Sequence, residues 1–167
     1  MHSNNPPLTE FGQILALLLD AGVEFIVVGG VAGNALGAPR TTLDLDVVYQ
    51  RTDTNIERVV KALAAVHPYL RGAPPGLPFK FDVATVKRGL NFTLTIDLGW
   101  LDLLGEIVGG GKYEELLPHT TKANAWGRDF RCLKLEKLIE VKRAAGRPKD
   151  FEAIAELEGI LNRTKQS

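Results

Sequence analysis

Two aspartates one residue apart, Asp44 and Asp46, open the apolar run LDLDVV, and a glycine pair, Gly29-Gly30, follows the apolar run VEFIVV. Residues i and i+2 of a strand share a face. Asp44 and Asp46 therefore point one way, while Leu43, Leu45 and Val47 point into a core. Carboxylates that close repel, and each raises the other's pKa unless a cation lies between them. A divalent ion is the simplest compensation, and oxygen ligands without His or Cys favour Mg²⁺ or Mn²⁺ over zinc. A glycine pair leading from a strand into a helix exposes backbone N–H groups that suit phosphate. Together the two features point to phosphoryl chemistry on a nucleotide, with metal neutralising the developing charge. Each has a plainer reading as well: Gly-Gly is a common turn, and Asp-x-Asp at a strand start is often a solvated edge.

These residues need a sheet to carry them, and the hydrophobic pattern supplies one. Leu8 to Ala21 reads as a helix, with Phe11, Ile14, Leu15, Leu18 and Leu19 on one face and Gly22 as its stop. Val23–Val28 is a short buried strand, Val31–Leu36 a short helix, and Leu43–Tyr49 a second strand. Thr54-Asn55 caps a helix through about His67, with Ile56, Val59, Val60, Leu63 and Ala64 inward. The Pro/Gly-rich stretch 71–80 is a surface loop. Asn91–Leu98 and Leu101–Ile107 read as strands joined at Gly99-Trp100. Gly109-Gly110-Gly111 is a flexible turn, lacking the Lys-Ser/Thr of a P-loop, before a short helix at Tyr113–Leu117. A strand pair follows around Gly127-Arg128, then helices over Leu135–Ala145 and Pro148–Leu161, the second with Pro at its first position. The order predicts an α/β (α+β) fold: a small mixed sheet flanked by helices.

The length of 167 residues suits a single domain, with a core over about 8–133 and a C-terminal helical segment over about 134–162. Apolar residues make up 45%, enough for a real core, and 20 basic side chains balance 20 acidic ones. That balance argues against a surface that binds polyanions as a whole. The one cysteine, Cys132, reads as a small core residue. The polar N-terminus carries no signal-peptide pattern, and the longest apolar run, Ile14–Leu19, is too short for a membrane span, so the expected location is the cytoplasm.

The stretch GGVAGNALGAPRTTLDLDVV resembles the signature of the nucleotidyltransferase superfamily, the DNA polymerase β-like fold. Arg40-Thr41-Thr42 and the tail LEKLIEVKRAAGRPKD, Leu135 to Asp150, resemble a small prokaryotic branch that includes toxins of type IV toxin–antitoxin (abortive-infection) systems. The resemblance covers roughly residues 8–160. It implies transfer of an NMP from an NTP to an acceptor hydroxyl with release of pyrophosphate. The acceptor is open between a small molecule, a protein and tRNA, and the toxin reading adds an antitoxin protein as partner. A catalytically silent nucleotide-binding or interaction module is the alternative from another class.

The same resemblance implies a site. Asp44 and Asp46 would hold Mg²⁺ (or Mn²⁺), joined by a third carboxylate from a later strand. Asp102, in LDLL, fits best, and Asp97, in TIDLG, is the second choice. Gly29 and Gly30 would meet phosphate through their backbone, Gly30 standing where many members carry Ser. Arg40, Thr42, Lys142 and Arg147 complete the nucleotide set, Lys142 resembling a triphosphate-contacting lysine. Arg40 has a second reading as a partner of Asp44, and Lys142 as part of a solvated helix face with Arg143 and Lys149. Asp150 reads as a helix-dipole residue, His67 and His119 as isolated, and Trp100 and Trp126 as packing.

Overall fold

The computed structural model describes residues 8–39 and 41–166. The elements are α1 (Phe11–Asp20), β1 (Phe25–Val28), α2 (Gly29–Ala35), β2 (Asp44–Tyr49), α3 (Asp53–Leu63), β3 (Tyr69–Leu70), α4 (Val83–Arg88) and β4 (Phe92–Ile96). Then come β5 (Gly99–Leu104), β6 (Glu106–Ile107), β7 (Gly111–Lys112), α5 (Tyr113–Leu116), β8 (Thr120–Ala125), β9 (Arg128–Leu133), α6 (Leu135–Ala145) and α7 (Pro148–Lys165). Seven strands make one mixed sheet in the order β3-β4-β5-β2-β1-β9-β8, while β6 and β7 form a separate ribbon. β1 runs parallel to β9 and β2 parallel to β5; the other neighbours are antiparallel.

The sheet's two faces differ in chemistry. One face carries Phe25, Val27, Leu45, Val47, Leu101 and Leu103, all buried. α1 and α3 pack against each other and contribute Ile14, Leu15, Leu18, Ile56, Val59 and Leu63 to the same core. The opposite face is apolar along β1 and the end of β2, where Ile26, Val28 and Val48 lie on the side covered by α2, which packs in turn on α6. Beyond them it turns polar, with Asp44, Asp46, Trp100 and Asp102 half-buried. The apolar face supplies the hydrophobic stabilisation, which lets the other face hold groups that oppose folding.

Several boundaries differ from the sequence expectation, each for a local reason. The cap of α3 is Thr52, whose hydroxyl accepts from Asn55 N at 3.2 Å. Asn55 is instead buried and clamps two strand ends: it accepts from Glu24 N at 2.7 Å and donates to Glu24 O at 3.0 Å and Gln50 O at 2.7 Å. The β4–β5 turn is Asp97-Leu98, so Gly99 and Trp100 belong to β5. Thr9 explains this, because its hydroxyl accepts from Trp100 N at 3.1 Å and donates to Leu43 O at 2.6 Å, tying the start of β5 to β2. β5 ends at Leu104, where Asn91 Oδ1 accepts from Gly105 N at 2.8 Å and turns the chain. Neither β3 nor α4, whose cap Asp82 accepts from Thr85 N at 2.8 Å, is expected from the pattern. α7 continues to Lys165 because nothing after Leu161 breaks a helix. Cys132 is a core residue, and burial pushes its thiol up to about 12. No helix among the described residues is long and apolar enough to cross a membrane.

Candidate active site

Alternation puts Asp44 and Asp46 on one face of β2, and the parallel register sets Asp46 beside Asp102 and Asp44 beside Trp100 on β5. One oxygen from each of Asp44, Asp46 and Asp102 lies within 4.8 Å of the others. Asp46 is the central member. Its Oδ1 is buried and accepts no hydrogen bond from the described residues. Burial, followed by the charges of Asp44 and Asp102, pushes its carboxyl up to about 9. Asp102 is also raised, chiefly by burial, with Arg71 opposing. Buried polar atoms nearly always find partners. An orphaned carboxylate oxygen amid three all-oxygen donors fits a hard divalent cation.

The glycine pair is fitted to these carboxylates. Gly29 has φ +68°, and a Cβ there would lie 2.2 Å from Asp46 Oδ2. Only glycine accepts both that backbone angle and that approach. A Cβ at Gly30 would lie 2.8 Å from Thr42 Oγ1. The hydroxyl above Gly30 is therefore the one on Thr42, which donates to Asp44 O at 3.1 Å. Arg40 lies outside the described residues.

Asp97 is not in this cluster. It sits in the β4–β5 turn, half exposed, with its Oδ2 2.7 Å from His67 Nδ1. His67 is therefore paired rather than isolated. The two candidates for a third carboxylate are thus separated by the strand: Asp102 faces Asp46, and Asp97 faces solvent.

A cleft of about 260 Å³ opens from Gly29 and Asp46 between Leu104, the β6 residues and α6. Leu138, Val141 and Ala145 give it an apolar wall, with Lys142 and Arg147 at its margin. Arg143 points elsewhere and pairs with Glu158 on α7. Arg147 is already committed, donating from Nε to Asp150 Oδ2 at 2.8 Å and from Nη2 to Oδ1 at 3.3 Å. Asp150 is buried, so this pair, more than the dipole of α7, accounts for its place. A larger groove, about 410 Å³, lies between the end of α1 and β8–β9, away from the trio. Its one carboxylate, Asp129, is 3.4 Å from Lys122 Nζ.

The pattern of residue types gives no hint of Arg71. Its Nη2 is 2.9 Å from Asp102 Oδ1, its Nη1 is 4.0 Å from Asp44 Oδ2, and its guanidinium carbon is 4.7 Å from the Trp100 ring centre. Trp100 is thus a platform for a cation. Arg71 lies in the Pro/Gly-rich stretch that reads as surface loop. The available signal was electrostatic: three carboxylates call for a counter-charge, and Arg71 is the lone Lys or Arg between Lys61 and Lys80.

No protein-family model matches the chain, and no curated protein matches it. Among solved structures, the chain is similar to a lincosamide antibiotic adenylyltransferase, LnuA, in its lincomycin-bound crystal structure. The TM-score is 0.61 at 16% identity, over 94% of this chain and 99% of that one. At that identity the likeness is one of fold, and the fold is nucleotidyltransferase-like.

Proposed function

We propose that the chain is a divalent-metal-dependent nucleotidyltransferase that moves an NMP from an NTP to an acceptor hydroxyl and releases pyrophosphate. The observation that carries this reading is the trio Asp44, Asp46 and Asp102, with its buried, unpartnered Asp46 oxygen. Mg²⁺ or Mn²⁺ held by the three carboxylates would neutralise phosphoryl charge and polarise the bond to be broken. The chain's own residues do the rest. Gly29 and Gly30 offer backbone N–H groups with no side chain between them and the substrate. Thr42 supplies the hydroxyl beside them. Lys142 stands at the rim of the cleft, where it meets negative charge on the nucleotide. The apolar wall of Leu138, Val141 and Ala145 excludes water from one side.

A small-molecule acceptor is the preferred class. The structural neighbour is an antibiotic adenylyltransferase aligned over nearly all of its own length, and the balanced charge gives no support to a large RNA. The test uses NTPs labelled at the α-phosphate, Mg²⁺ and a whole-cell extract as the source of acceptors. We expect label in the low-mass fraction, pyrophosphate release, and loss of both in Asp46→Asn. Label in tRNA or protein would move the reading to the toxin branch, which also predicts growth arrest on expression. Nucleotide binding without pyrophosphate release from any NTP would leave only a silent binding module.

A further inference from the structure

The backbone of Arg71 continues the sheet for one residue beyond β3, since its N–H donates to Thr93 O at 3.0 Å. That bond aims the side chain onto the polar face. Thr93 is in register with Asp102, and Asp102 with Asp46, so Arg71 ends a row leading directly to the trio. The guanidinium has two firm attachments: the Trp100 ring beneath it and Leu94 O, 2.8 Å from Nη2. Its hold on Asp102 is of another kind. An arginine grips a carboxylate best with two parallel N–H bonds. Here one nitrogen comes within 2.9 Å of Asp102 Oδ1 without the alignment of a hydrogen bond, and the buried Nε has no acceptor among the described residues. The next residue, Gly72, is exposed, and a Cβ there would meet nothing within 4 Å.

Building on the metal reading above, we propose that Arg71 is an exchangeable counter-cation of the trio. It covers Asp102 while no divalent ion is bound. When one binds, it slides along the Trp100 ring and takes an anionic oxygen of the nucleotide. A metal ion at the trio would lie against the same carboxylate that the guanidinium touches, and repulsion between the two cations makes Arg71 weaken metal binding to the nucleotide-free protein. Once displaced, its unsatisfied donors need an acceptor, so nucleotide and metal strengthen each other's binding. Arg71 thereby keeps the metal site from filling before the substrate arrives.

The experiment measures free Mn²⁺ by electron paramagnetic resonance during titration of the full chain, with and without a non-hydrolysable ATP analogue. Arg71→Gln should bind Mn²⁺ alone at least about tenfold more tightly than the wild type. The tightening that the analogue produces in the wild type should shrink by a similar factor. Arg71→Lys keeps the charge and should stay near the wild type for Mn²⁺ alone. In the unmutated protein, the ¹⁵Nε resonance of Arg71 should shift on saturation with Mg²⁺ and again with the analogue, which tests the exchange even if the Gln variant does not fold. Unchanged or weaker Mn²⁺ binding in folded Arg71→Gln, or an unmoved Nε signal, overturns the exchange and leaves the metal site standing. Failure of every form to bind Mn²⁺ removes the metal reading and the exchange with it.

Discussion

Asp46→Asn separates the electrostatic burden of the trio from its chemistry. In metal-free protein the Asp46 carboxyl holds its proton up to about 9, against 3.8 in the unfolded chain. A carboxyl raised in this way binds its proton more tightly folded than unfolded. The stability linked to it is complete below 3.8 and falls as pH rises towards about 9. At about pH 7.5 the gap above 3.8 is about 3.7 units, and at about 1.4 kcal/mol per unit the ceiling is about 5 kcal/mol. Relaxation, and proton sharing with Asp44 and Asp102, reduce such idealised costs severalfold. We therefore expect the neutral isostere to be about 1–2 kcal/mol more stable than the wild type at that pH, or about 3–6 °C in Tm. The assay is thermal unfolding followed by circular dichroism in EDTA at about pH 4, 6 and 7.5, then in millimolar Mg²⁺. The advantage should vanish near pH 4, and Mg²⁺ should raise the Tm of the wild type alone by mass action. A variant less stable at about pH 7.5, or a difference that ignores pH, would refute the reasoning.

Gly29→Ala should lose about 3 kcal/mol in urea unfolding and most Mn²⁺ affinity, because the new methyl at φ +68° displaces the Asp46 carboxylate. Wild-type Mn²⁺ binding in that variant would contradict the fit between Gly29 and the trio. Lys142→Ala should weaken Mg²⁺–NTP binding about tenfold by calorimetry. Arg143→Ala should leave that binding unchanged, since Arg143 turns to Glu158. Asn55→Ala should cost about 2–4 kcal/mol at neutral pH, because it strands the strand-end groups of Glu24 and Gln50 that Asn55 now satisfies.

The fold was legible wherever one period governed the chain. The alternation of β2 and the apolar spacing of α1 and α6 decide both element and face, and the parallel β2–β5 pairing then brings Asp102 to Asp46. What escaped was decided by contacts distant in sequence. The start of β5 depends on Thr9, some ninety residues earlier. Asn55 looks like a cap, yet it is the clamp for Glu24 and Gln50. Arg71 carries no pattern, because its place depends on an edge strand two residues long and on a ring across the sheet. The choice between Asp97 and Asp102 turned on where a hairpin begins, and strand alternation alone does not fix that.

The interior position of β1 in the sheet has a consequence for the birth of the protein. Its one neighbour, β2, follows within about twenty residues, but its other neighbour, β9, begins about a hundred residues after β1 ends. At about 5–20 residues per second on a ribosome, the Phe25–Val28 edge waits roughly 5–20 s for its partner. During that interval the nascent chain presents one unpaired edge of an apolar strand, FIVV, able to add to another chain. Closure of β9 on β1 is a long-range event of the slow kind. The strands that carry the acidic trio lie wholly upstream of it, so the three carboxylates can come together on the emerging chain before the sheet is complete.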